Sequence, residues 1–342
     1  MSNNERVPWL DAAKGIGIVF VVMGHITAEP LLARFIFSFH MPLFFFLSGI
    51  ACNFSRQEQF IQRRARSLLV PYFSFCLLSF LYWFILEHHF RPAAYSPASA
   101  FLNIFFAQGG KYIFNSVMWF LPCLFVVEVC FYAVRKKIRP QTATALFVLA
   151  CAVAGFALSG SEPFPRSFRL PVRLPWMLDT AMIGIFFYAL GAMLGRRSAT
   201  TRERPGYALA AVSLGAFALC LVLTELFPSR TDLAEFILPN PILFGIGSCS
   251  GIAATTAAAK YVPTPWLQAL GRMSLSIMCL HEPVKRVLLK TAEMVSGIGV
   301  AELRASVVTS IIMTAVTLLA CIPFVLCIRR FFPWLAGQKT RG

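Results

Sequence analysis

The 342-residue chain is 58% apolar, and 13% of its residues are charged against roughly 25% in an ordinary soluble domain. So few charges cannot clothe a soluble surface, whereas lipid demands apolar side chains all round a helix. The formal net charge of +16 lies in short basic clusters between long apolar runs, which fits loops at an anionic membrane surface and argues against nucleic acid.

A membrane-spanning helix needs about 20 mostly apolar residues. Ten runs qualify: 9–28, 35–53, 68–86, 117–134, 143–158, 178–194, 207–227, 241–259, 267–289 and 305–328. The first contains Asp11 and Lys14 and lacks a small-residue cleavage site, so it reads as a retained anchor rather than a cleaved signal. The segment 99–107 is apolar but too short to cross, and reads as re-entrant or interfacial. The ninth run is the most charged, with Arg272, His281, Lys285 and Arg286. The expected fold is all-α: a polytopic integral membrane protein of about ten helices, one domain filling residues 1–342.

Basic residues set the orientation. One set of alternate loops carries Arg63, Arg64 and Arg66; Arg135, Lys136, Lys137 and Arg139; Arg196, Arg197, Arg202 and Arg204; and Arg329 and Arg330. The positive-inside rule puts these in the cytoplasm, together with both termini. The other side also holds basic groups, at Arg166, Arg169 and Arg173 and from Lys285 to Arg304, and those stretches are expected to fold back against the membrane. Ten cysteines lie mostly inside apolar runs with no CxxC pair, so neither disulfides nor a bound metal are expected.

Ionisable residues inside a membrane are costly and point to function. Asp11, Lys14 and His25 share the first span. Eleven residues separate Lys14 from His25, so at about 100° and 1.5 Å per residue they lie on one stripe, roughly 16 Å apart. A cation at the cytoplasmic mouth holds phosphate, and a deeper neutral imidazole takes a proton from a hydroxyl. The plainer alternative pairs Lys14 with Asp11 and leaves His25 as a satisfied core residue. In the second span His40 precedes Pro42, where a kink is expected; the imidazole serves either a cavity wall or the kink's freed carbonyls. Arg63, Arg64 and Arg66 open the third span, as phosphate-binding forks or simply as topology signals. Glu128, mid-span in the MWFLPCLFVVE segment with Trp119, requires a basic partner from another helix. His281 stands near the outer end of the ninth run. GxSxG, P-loop, HExxH and GxGxxG patterns are absent, so soluble-type nucleophile and nucleotide sites are not supported.

Five segments in order, WLDAAKGIGIVFVVMGH, FSFHMPLFFFLSG, RRARSLLVPY, MWFLPCLFVVE and LGRMSLSIMCLH, resemble the membrane-bound acyltransferase family 3, and within it the fucose 4-O-acetylase-like branch. The resemblance implies an acyl-CoA donor, acetyl-CoA above all, on the cytoplasmic side, and transfer to a sugar hydroxyl of a surface or secreted glycan at the inner membrane. It casts His25 as the catalytic residue, as general base or covalent relay. Lys14 fills a position where the family usually has Arg, and Arg63, Arg64 and Arg66 match a basic motif facing the CoA. Asp11, His40, Trp119, Glu128 and His281 are expected to support the site or bind the acceptor. A transporter or flippase of a lipid-linked glycan is the competing reading; it predicts two inverted halves, and the sequence carries no such symmetry.

Overall fold

The computed structural model describes residues 7–52, 59–92, 96–108, 112, 114–138, 140–198, 207–227 and 230–337, excepting the side chains of 196–198. Arg139, Arg202 and Arg204, which entered the orientation argument, lie outside the described residues, as do the side chains of Arg196 and Arg197.

The chain runs α1 (Pro8–Ile26), α2 (Pro30–Ile50), α3 (Phe60–Arg64), α4 (Val70–Tyr82), α5 (Pro97–Phe106), α6 (Phe120–Lys137), α7 (Gln141–Ser159), α8 (Leu178–Ser198), α9 (Tyr207–Glu225), α10 (Pro241–Tyr261), α11 (Pro265–Ser296), α12 (Val300–Ala305) and α13 (Val307–Phe331). A π turn joins α3 to α4, making one helical rod from Phe60 to Glu87. Among the described residues there are nine helices long and apolar enough to cross a membrane, and each covers a predicted run. The remaining run, 267–289, is α11, whose charges keep it out of that class although its 32 residues reach about 48 Å. The protein is an all-α, multi-pass membrane protein.

Successive long helices reverse direction, which gives the bundle two faces. The near face holds the start of α1 and the end of α13; there Gly337 packs against Ser67. The far face holds the α1–α2 turn and α12, tied by Ala28 N donating to Arg304 O at 2.7 Å. The short segment 99–107 falls on α5, which packs against the third crossing. Its Ile104 carbonyl accepts from Tyr72 Oη at 2.7 Å, well inside the third crossing.

Small residues let the central helices approach closely. A Cβ at Gly15 would lie 2.1 Å from Leu267 O, and one at Gly271 would lie 1.8 Å from Asp11 O. Only glycine permits that α1–α11 contact. Proline inside a helix frees the carbonyl four residues back, and two such carbonyls are used. Pro42 releases Ser38 O, which accepts from Ser248 Oγ on α10 at 2.7 Å. Pro283 releases Cys279 O, which accepts from Asn115 Nδ2 at 2.8 Å. Helix α2 therefore continues unbroken through Pro42 from Pro30 to Ile50.

The far-face basic groups expected in loops folded against the membrane are partly inside the bundle. Lys285 and Arg286 belong to α11, and Arg173 turns inward onto buried Asp179, with Nε–Oδ2 2.6 Å. Carboxylate partners make their burial tolerable.

Candidate active site

The far half of the bundle encloses a cavity of about 480 Å³. Helix α1 contributes Val21, Gly24 and His25, and α2 contributes Phe37, His40 and Met41. Ser116 and Trp119, in the 3₁₀ turn ahead of α6, form another wall. Met278, Glu282 and Lys285 come from α11, Arg304 from α12, and Arg230 and Asp232 to Glu235 from the loop between α9 and α10.

His25 is the best-positioned titratable group. Its Nδ1 lies 3.2 Å from Glu282 Oε1, so the carboxylate accepts from Nδ1–H, and in the neutral ring that leaves Nε2 as the acceptor. Lys285 Nζ lies 2.5 Å from the same oxygen and also donates to His25 O at 2.7 Å. Lys285 thus neutralises Glu282 and holds the last turn of α1, where exposed carbonyls favour a cation. Arg304 Nε donates to the neighbouring Ile26 O at 2.7 Å. Close α1–α11 packing sets this register; the glycines at the near end bring Glu282 and Lys285 alongside His25 at the far end.

The other two predicted histidines are placed differently. His40 is buried and lines the cavity, and its Nδ1 bonds Ile36 O at 2.8 Å rather than the Ser38 carbonyl that Pro42 frees and Ser248 takes. His281 is fully buried behind the wall. Its Nδ1 bonds Ile277 O at 3.1 Å, Nε2 has no hydrogen-bond partner among the described residues, and its ring centre is 5.3 Å from that of His25. His25, His281 and Glu282 bring three metal-ligand atoms within 4.8 Å of one another. The Lys285 ammonium already supplies the positive charge that Glu282 needs, which disfavours a dication there.

At the near end, Glu128 has the basic partner the sequence left unnamed. It is fully buried, and Arg64 Nε and Nη2 grip its two carboxylate oxygens. That places Glu128 with the near-face arginines and off the cavity wall. Asp11 faces Arg272 of α11 at 3.9 Å, while Asp11 and Arg64 are the charges acting on half-buried Lys14. Lys14 does not line the far cavity. Arg63 and Arg66 are exposed.

The α9–α10 loop is a built wall. Asp232 and Ile237 exchange backbone hydrogen bonds at 2.7 and 2.8 Å, and Asp232 Oδ1 caps the backbone of Ala234 and Glu235. Arg173 donates to Ala234 O, and Thr180 Oγ1 to Leu233 O at 2.9 Å. Arg230 pairs with Asp232 at 2.9 Å and lies 4.3 Å over the Phe37 ring. Burial, and then the neighbouring Asp232, push the Glu235 carboxyl up from its ordinary value.

Sequence reasoning gave no role to Glu282, Lys285, Arg304 or the loop. The Glu282–Lys285 spacing of three, inside a hydrophobic stretch, was the available signal. Across residues 7–326 the chain matches a family model described as an acyltransferase domain. No curated protein and no solved structure matches it.

Proposed function

This chain belongs to the membrane acyltransferase family 3, and from that premise we propose that it carries an acyl group, acetyl first, from acyl-CoA to a hydroxyl of a surface or secreted glycan. We place it in the fucose 4-O-acetylase-like branch and in the cell inner membrane, with the near face and both termini in the cytoplasm. The observation that carries this reading is the Glu282–His25 pair on the wall of a far-face cavity.

The acceptor hydroxyl lies against His25 Nε2, which takes its proton as the oxygen attacks the thioester carbonyl. Glu282 holds the ring and stabilises the imidazolium. The carbon–sulfur bond breaks, and the proton passes from His25 to the departing CoA thiolate, leaving ester and free thiol. Lys285 and Arg304 lie on the side where the tetrahedral oxyanion needs positive charge. Trp119 and His40 shape the acceptor side.

The donor enters from the near face. Exposed Arg63 and Arg66, with Lys14, meet its phosphates. Arg64 serves differently: its fork is held by Glu128, so it braces the helices the donor rests on. From Lys14 to His25 is about 16 Å along α1, a span the donor's thioester arm bridges.

The test uses purified protein in lipid nanodiscs, with labelled acetyl-CoA and its polysaccharide. Transfer of label with release of free CoA is expected. Movement of lipid-linked glycan across the bilayer without CoA release would establish the carrier reading instead.

A further inference from the structure

The α1–α11–α12 wall of the cavity carries Lys285 and Arg304 and one carboxylate, Glu282, which Lys285 and His25 share. Arg304 forms no ion pair among the described residues, and its one described side-chain bond, Nε to Ile26 O, leaves the fork's amino groups for other acceptors. Lys285 Nζ and Arg304 Nε bond the adjacent carbonyls of His25 and Ile26, each at 2.7 Å, which sets the two cations side by side. The α9–α10 loop, which lines the same cavity, carries Arg230 paired to Asp232, with Glu235 beside it. The cavity's charges are therefore segregated: one wall has a surplus cation, the other a surplus carboxylate.

Proton transfer sharpens the asymmetry. Once His25 accepts the hydroxyl proton, three positive groups share that wall with the single carboxylate Glu282. The tetrahedral oxyanion offsets one of the two surplus charges on that wall, and the other leaves room there for a second negative group.

We propose that the acceptor is anionic, and that its carboxylate or phosphate docks on Arg304 and Lys285 while its hydroxyls donate to Asp232 and Glu235. A fork and an ammonium side by side suit either oxyanion. The segregated walls then orient the sugar, fixing which hydroxyl meets His25. This inference rests on the acyl-transfer reading for its purpose, but binding tests it independently of turnover.

The experiment is calorimetric titration of the full-length protein in nanodiscs with three probes: a glucuronic-acid-bearing disaccharide, its carboxyl-reduced glucose counterpart, and glucose 1-phosphate. The wild type is expected to bind an anionic probe at least 10-fold more tightly than the neutral one. Arg304→Gln should erase that preference and leave the neutral sugar's affinity unchanged, and Arg304→Lys should keep most of it. The uronate and phosphate arms identify the source of the anion. Equal wild-type affinity for charged and neutral sugars overturns the proposal, as does an equal loss for all three probes in Arg304→Gln when Arg304→Lys binds normally. Failure to turn over acetyl-CoA, with the anion preference intact, would count against the acyl-transfer reading alone.

Discussion

The two ends of α1 make the same kind of residue do different work. At the far end, His25 opens onto a cavity, and Lys285 and Arg304 leave one positive charge there beyond what Glu282 balances. At the near end, Asp11 meets Arg272, and the fork of Arg64 closes on a carboxylate with no exposure at all. An intramembrane charge marks chemistry where its partners leave capacity unused, and marks structure where they consume it.

The comparison is broken most sharply at Glu282. Glu282→Gln removes the carboxylate that holds His25 and should lower kcat on the order of 10²–10⁴-fold, the range for a positioned acid–base group. KM for acetyl-CoA should stay put. Steady-state kinetics decide it, and a kcat near wild type would reduce Glu282 to a charge partner for Lys285.

At the near end the expected effect is on folding. Glu128→Ala strands Arg64, and removing one member of a buried pair costs about 3–5 kcal/mol. Arg64 retains 32% side-chain exposure, so the loss should sit at the low end. Thermal unfolding in nanodiscs reads it, with Arg64→Leu added to Glu128→Ala recovering part of the loss. A variant of unchanged stability would make the pair dispensable.

Gly271→Ala joins the two ends. The new methyl would meet Asp11 O at 1.8 Å, forcing α1 from α11 at an overpacking cost of about 1–3 kcal/mol. Because the same contact sets His25 against Glu282, kcat should fall along with stability; a stability loss with full kcat would uncouple them. The smallest effect belongs to Arg66→Ala. An exposed phosphate contact is worth about 0.2–1 kcal/mol, so KM for acyl-CoA should rise a few-fold at constant kcat, and acceptor KM should not move.

The sequence made the helices legible because lipid imposes a length and a composition that no packing detail overrides. Nine predicted runs are apolar crossings, and the charged one is α11. Within α1, helical arithmetic placed Lys14 and His25 on one stripe. What it could not supply was the partner on the facing helix. Glu282 was visible beside His281 and Pro283, yet its selection over His281 depends on the rotation of α11 against α1, which Gly15 and Gly271 set through backbone contact. Glu128 was recognised as needing a cation, and Arg64 was visible as one, but the pairing joins helices 64 residues apart. The 230–235 loop gave no local signal, because its position depends on Arg173 and Thr180 reaching its backbone from another segment.

The central claim is that His25 handles the acceptor's proton. The direct measurement is transfer of labelled acetyl by His25→Ala protein in nanodiscs, at matched thermal stability and with the same polysaccharide. The account predicts incorporation at background. Incorporation at the wild-type rate would contradict it.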